Sequence, residues 1–187
     1  MIYFFTPYDW NRKLFDAIDE YMNLLKTDDW AVLMDGDVSF LHSTFGHQIQ
    51  RHIMTHPSTG LFTCYASRCH YKVQVPKGVD MENDSIRYHK QIADHLAYEF
   101  LQESIQVERR IAGHLMVIRK STWDRIRPIV KIKAAEKDIL GVDTKISNAI
   151  LQVGMNIVIM KDVYVLHYCR LIEGFDYTKH IDPCTKE

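Results

Sequence analysis

Short apolar runs alternate with helically spaced apolar positions along this chain. The first run, residues 2–6, predicts a strand, and the residues after it place Leu14, Ile18 and Leu25 on one face of a helix. A second run, Trp30–Met34, predicts a buried strand. A strand, a helix and a strand in this order favour a parallel pair joined by a right-handed crossover.

Further apolar runs predict strands at residues 61–65, 115–118, 157–160 and 164–166. The polar pair Lys161-Asp162 separates the last two runs and predicts a turn. Residues 66–84 are polar, contain Pro76 and Gly78, and predict a long loop that is either functional or mobile.

Helical spacing recurs between these runs. Helix starts are expected after Ser43 or Thr44, at Ser85, at Ser121 or Thr122, and at Gly141. The helix from residue 121 is expected to end before Pro128, and Gly154 predicts the C-terminal cap of the last helix. The succession predicts one α/β domain over residues 1–187, with residues 171–187 as a C-terminal tail.

Composition restricts the class of protein. Hydrophobic residues make up 47% and charged residues 25%, which is typical of a globular protein, and a net charge of −1 gives no reason to expect nucleic acid as a partner. No apolar run approaches the roughly 20 residues of a membrane helix. The four cysteines form no CxxC pair and predict reduced thiols, so a cytoplasmic location is expected.

Two carboxylates, Asp35 and Asp37, follow the second predicted strand directly and are separated only by Gly36. Ligands bind at the carboxyl ends of strands in open α/β sheets, and paired carboxylates can hold Mn²⁺ or Mg²⁺. The alternative is an ordinary turn, because Asp-Gly is a common turn dipeptide.

Two later residues could serve the same site. His167 ends the last predicted strand, where it is either a third metal ligand or a histidine at the rim of the sheet. Asp143 begins the last predicted helix, where it is either an N-terminal cap or a general base.

The turn after the first strand is a candidate anion site. A strand-to-helix turn offers free backbone N–H groups, Arg12 and Lys13 add positive charge, and Tyr8 can stack on a base. Neither a dinucleotide-binding GxGxxG motif nor a P-loop is present.

This ordered set of motifs resembles the GT-A type nucleotide-sugar glycosyltransferases, specifically the family 2-like ones. The matching segments are residues 30–41 with the DxD motif, 113–123, 141–143 and 164–170. The resemblance implies a Rossmann-like, mixed and mostly parallel sheet flanked by helices, with an N-terminus shortened by one β-α unit.

The resemblance also implies residue roles. Asp35, Asp37 and His167 would bind the divalent cation, and Asp143 would be the catalytic base. The implied donor-binding residues are Pro7, Tyr8, Asp9, Arg12, Asp35, Gly113, His114 and Arg170. The implied enzyme is an inverting, hexosyltransferase-like protein that moves a sugar from a nucleoside diphosphate to a glycan or other hydroxyl acceptor. It would act in the cytoplasm or peripherally at the inner face of the membrane.

Two other functions stay open. The shortened N-terminus is compatible with a non-catalytic module of the same fold that binds a nucleotide sugar or glycan without transfer. A metal-dependent nucleotidyltransferase or phosphohydrolase would also use paired aspartates, but it would need further carboxylates or a phosphate-binding loop.

Overall fold

The computed structural model describes residues 1–9, 13–134 and 141–168. Within these residues the chain is α/β, with a mixed seven-stranded sheet flanked by helices. The strands are β1 Ile2–Phe5, β2 Trp30–Met34, β3 Val38–Phe40, β4 Leu61–Ala66, β5 Ser104–Val107, β6 Leu115–Arg119 and β7 Ile157–His167. The helices are α1 Leu14–Asn23, α2 Phe45–Thr55, α3 Ile86–Glu99, α4 Lys120–Ala134 and α5 Val142–Gln152, with a short 3-10 turn at Lys72–Gln74. None of these helices is both long enough and apolar enough to span a membrane.

Strand order in the sheet is β1-β2-β6-β4-β7-β3, and β5 also pairs with β7. β1 and β2 are parallel, as the first strand-helix-strand pattern predicts. β6 is antiparallel to both β2 and β4, so those two strands share a direction without pairing. The prediction of a mixed sheet is confirmed. The pairs with assigned register do not follow the predicted mostly parallel arrangement. β6 is antiparallel to β2 and β4, and β3 is antiparallel to β7.

The described chain divides into two compact units. The first comprises Met1–Gly36, His56–Thr63 and Gln106–Val158. The second comprises Asp37–Thr55, Cys64–Ile105 and the described residues from Ile159 onward. The single domain over residues 1–187 stays a prediction, and the tail at residues 171–187 lies outside the described residues.

In the first unit, α4 contacts α1, α5 and β6. Trp123 of α4 is fully buried, and its indole N–H donates to Asp19 of α1 at 3.0 Å. Arg127 donates to both oxygens of Asp19, each at 2.6 Å. The Arg127 hydrogen bonds are the main cause that lowers the pKa of Asp19, which keeps the carboxylate charged in the folded protein.

α4 continues through Pro128, so the prediction that this helix ends before Pro128 is wrong. Pro128 is exposed, whereas Ile126 and Val130 on either side of it are fully buried. A proline inside a helix costs about 3 kcal/mol because it removes one hydrogen bond. Burial of two large aliphatic side chains contributes a comparable amount, and tertiary packing therefore carries the helix past the proline.

In the second unit, β7 runs through Asp162, so the predicted turn at Lys161-Asp162 is wrong. The Asp162 carboxylate is buried, accepting a hydrogen bond from Nε2 of His52 at 2.6 Å and from the backbone N–H of Gln102 at 3.0 Å. The Asp162 carbonyl also accepts from Gln48 at 2.5 Å. A buried carboxylate is tolerated when it is fully hydrogen-bonded, and these partners come from distant parts of the sequence.

Two predicted helix boundaries are confirmed. Ser85 precedes α3, and its hydroxyl accepts a hydrogen bond from the backbone N–H of Tyr88. Gly154 follows α5 with φ of +75°, and the N–H of Met155 donates to the carbonyl of Ile150 at 3.1 Å. That pattern is the glycine-dependent C-terminal cap expected from the sequence.

Candidate metal centre

In the second unit, strand pairing places Asp37 beside His167. β3 begins immediately after Asp37, and Val38 lies opposite His167 in the antiparallel β3–β7 pair. The backbone N–H of Tyr168 donates to the Asp37 carbonyl at 2.9 Å, which extends the pairing by one residue. As a result, Nε2 of His167 lies 3.4 Å from Oδ1 of Asp37.

The imidazole of His167 is oriented by its neighbours. Nδ1 lies 3.1 Å from the carbonyl of Arg68, and because a carbonyl only accepts, we assign the hydrogen to Nδ1. In this tautomer Nε2 carries the lone pair that a metal ion needs. The backbone of His167 is fixed as well, since its N–H donates to the Ser67 hydroxyl at 3.0 Å. Metal-binding histidines characteristically use one ring nitrogen in this way to present the other.

Asp35 is exposed and lies two residues before Asp37 in the chain. The Asp37 carboxylate and the His167 imidazole, with Oδ1 and Nε2 3.4 Å apart, offer an oxygen and a nitrogen ligand to a divalent cation such as Mn²⁺ or Mg²⁺. The assignment of Asp35 to the same ion stays a prediction.

In the first unit, a chain of hydrogen bonds links Asp35 to the region of Asp143. The backbone N–H of Asp35 donates to the carbonyl of His114 at 3.1 Å. The next residue back, Gly113, donates its N–H to Oδ2 of Asp143 at 3.0 Å. Oδ1 of the same carboxylate accepts from the N–H of Thr144 at 2.8 Å. Residues 113–114 therefore connect the first acid of the DxD motif to the candidate base.

The carboxyl group of Asp143 has an altered acidity. Burial is the main cause that raises its pKa, and the N–H groups of Thr144 and Gly113 act in the opposite direction. Asp143 lies in the first turn of α5, and the capping position before the helix belongs to Gly141, which has φ of +100°. A partly buried carboxylate with a raised pKa is a recognised type of proton acceptor.

Replacing Gly113 by alanine is expected to disturb Asp143. A Cβ added at Gly113 would lie 2.6 Å from the Cβ of Asp143, which is closer than two non-bonded carbons approach. We expect Gly113→Ala to lower the free energy of unfolding by about 1–3 kcal/mol, as overpacking does, measured by urea denaturation. The control is Gly46→Ala in α2, where an added Cβ meets nothing within 4 Å. Equal stability of the two variants would contradict the prediction.

The turn after β1 begins close to the DxD motif. A Cβ added at Gly36 would lie 3.6 Å from the methyl group of Thr6. Asp9 accepts a hydrogen bond from the backbone N–H of Lys13, the residue before α1, at 2.8 Å. Tyr8 is 72% exposed, so its ring is accessible for stacking.

The structure describes only one of three other predicted donor-binding residues. Pro7 is half-buried in the same turn. Arg12 and Arg170 lie outside the described residues. Their assignment to the donor site stays a prediction.

Sequence reasoning missed Ser67 and Arg68, which hold the backbone and ring of His167. Both are buried polar residues directly after the fully buried strand β4. This is the same local signal that identified Asp35 and Asp37, namely polar residues at the end of an apolar strand.

No protein-family model matches the chain, and a search of curated proteins finds no match. The support for a function therefore comes from the arrangement of the residues described above.

Proposed function

We propose that this protein is a metal-dependent glycosyltransferase of the GT-A type. It would transfer a sugar from a nucleoside-diphosphate donor to an acceptor hydroxyl, in the cytoplasm or at the inner face of the membrane. The observation that carries the proposal is the Asp37–His167 pair, in which a carboxylate oxygen lies 3.4 Å from a ring nitrogen oriented by the Arg68 carbonyl.

Asp35, Asp37 and His167 would hold Mn²⁺ or Mg²⁺, which when bound offsets the negative charge on the departing nucleoside diphosphate. The two aspartates are exposed and the histidine is buried. The carboxylates therefore face solvent, from which the charged donor would arrive. The imidazole is held by its hydrogen bond to the Arg68 carbonyl.

Asp143 would act on the acceptor. Its carboxylate takes the proton from the acceptor hydroxyl as that oxygen attacks the anomeric carbon, and the raised pKa makes it a better proton acceptor than an ordinary aspartate. The two backbone N–H groups that it accepts keep its direction fixed. Attack opposite the leaving diphosphate breaks the anomeric bond in one step and inverts the configuration.

The second candidate is a non-catalytic module that binds a nucleotide sugar or glycan. Each oxygen of Asp143 already accepts a backbone N–H, an arrangement that also suits a purely structural residue. The two candidates share the metal centre and differ only in whether Asp143 takes a proton.

A thermal-shift panel tests the metal-dependent donor site. UDP-, GDP-, CDP- and dTDP-sugars are each added with Mn²⁺ or with a chelator. We expect at least one donor to raise the apparent melting temperature only with Mn²⁺, because a ligand at 100 times its Kd stabilises the folded state by about 2.7 kcal/mol. Equal shifts with the chelator, or no shift with any donor, would count against the proposal.

A further inference from the structure

Arg68 is a buried arginine whose side chain donates hydrogen bonds to a loop. Only 1% of the residue is exposed. Its Nε donates to the carbonyl of Met81 at 2.5 Å, and its Nη2 donates to the carbonyl of Asn83 at 3.0 Å. Both acceptors belong to the irregular segment before α3. A buried guanidinium requires such partners, because a buried charged donor without an acceptor destabilises the folded state.

The loop end at Asn83 is held from a second direction. Nε2 of His89 lies 2.5 Å from the same Asn83 carbonyl, so it carries the hydrogen, and Nδ1 accepts from the hydroxyl of Tyr164 at 2.7 Å. Tyr164 belongs to β7, the strand that ends at His167. Buried side chains therefore hold the end of the loop at Asn83.

These contacts form a closed circuit within the second unit. It starts on β7 at Tyr164, passes through His89 and Asn83 to the Arg68 side chain, and returns to β7 through the Arg68 carbonyl and His167. Arg68 is the member that joins the loop to the metal ligand. Its side chain binds the loop, and its carbonyl accepts from Nδ1 of the imidazole.

We propose that Arg68 is a positioning residue for His167. By binding Met81 and Asn83, the guanidinium fixes the peptide group whose carbonyl keeps Nε2 of His167 directed at Asp37. This inference rests on the proposed metal centre, and it assigns the preceding loop a role in metal affinity. A purely structural Arg68 would affect stability but not the ligation of the ion.

The test compares Arg68→Met, which removes the donors, with Arg68→Lys, which keeps a positive charge and can reach one carbonyl. Mn²⁺ affinity is measured by calorimetry, and the visible spectrum of bound Co²⁺ reports whether a nitrogen ligand is present. We expect Arg68→Met to weaken Mn²⁺ binding about 10-fold, as loss of an orienting partner does, and to alter the Co²⁺ spectrum. Arg68→Lys should recover part of the affinity and, if the methionine variant does not fold, carries the test alone.

A control separates ligation from loss of stability. Asp19→Asn weakens the ion pair with Arg127 in the first unit. We expect this control to bind Mn²⁺ as the native protein does, at a temperature where all variants are folded.

Each outcome decides a different point. Native Mn²⁺ affinity in both Arg68 variants would overturn the positioning role, and so would a loss matched by the Asp19→Asn control. His167→Ala serves as the reference for the metal centre itself. If His167→Ala binds Mn²⁺ normally, the centre and the proposed function fail together, whereas a loss in His167→Ala with none at Arg68 overturns only the present inference.

Discussion

Asp143→Asn is expected to slow sugar transfer by about 10²–10⁴-fold while nucleotide-sugar binding stays at the native level. An asparagine cannot take the proton from the acceptor, and general-base catalysis typically contributes about 10²–10⁴-fold to the rate. Transfer is measured as release of nucleoside diphosphate and as glycosylated acceptor, and donor binding is measured by calorimetry with Mn²⁺.

The same carboxyl group predicts the pH dependence. Because burial raises the pKa of Asp143, the proton-accepting form is lost as the pH falls through that raised value. The native rate should therefore decline on the acid side at a higher pH than an ordinary aspartate would produce, and the residual rate of Asp143→Asn should lack this step.

Asp16→Asn is the matched control, since Asp16 is an exposed acid in the first turn of α1. It removes a carboxylate at a helix N-terminus without touching the site, so its transfer rate should be native. Unchanged transfer in Asp143→Asn would exclude Asp143 as the base. Donor binding without any transfer by the native protein would favour the non-catalytic module.

Asp37→Ala is expected to eliminate metal-dependent donor binding. The substitution removes one of two carboxylates from the metal site and leaves His167 without its 3.4 Å neighbour. Loss of an orienting partner already weakens metal sites by about 10–100-fold, so loss of a direct ligand should weaken Mn²⁺ binding by at least about 100-fold. Calorimetry with Mn²⁺ alone, and then with the donor identified by the thermal-shift panel, measures both effects.

Asp94→Ala is the matched control for this variant. The side chains of Asp37 and Asp94 are equally exposed, at 47%, but Asp94 pairs with Lys90 on the surface of α3. Exposed pairs of this kind contribute little, so Asp94→Ala should keep native Mn²⁺ affinity and nearly native stability. Similar Mn²⁺ affinities in the two variants would show that Asp37 does not bind the ion.

The sequence predicts those parts of the fold that local patterns determine. The apolar run Trp30–Met34 followed by Asp35 and Asp37 is visible without any knowledge of packing, and so is the histidine at the end of the last strand. Strand ends meet in a sheet, which is why residues 130 positions apart in the chain could be expected to come together. The structure brings Asp37 and His167 together, with Nε2 of the histidine 3.4 Å from Oδ1 of the aspartate.

What the sequence does not predict depends on partners from elsewhere in the chain. Pro128 and Asp162 each break a local rule, and in each case distant residues compensate. The reversed direction of β6 is equally invisible, because an apolar run carries no information about which strands it will join. Arg68 belongs to the same class, since its importance lies in carbonyl groups that no side-chain pattern can reveal.

The buried carboxylate of Asp162 has a consequence for how the second unit is assembled. A buried carboxyl group needs hydrogen-bond partners, so the packing of β7 depends on His52 from α2 and on the N–H of Gln102 from the turn after α3. His167 is at the end of that same strand. His167, the predicted ligand, therefore belongs to a strand whose packing depends on segments that are distant in the sequence, and Mn²⁺ binding at the proposed centre would require those segments to be assembled.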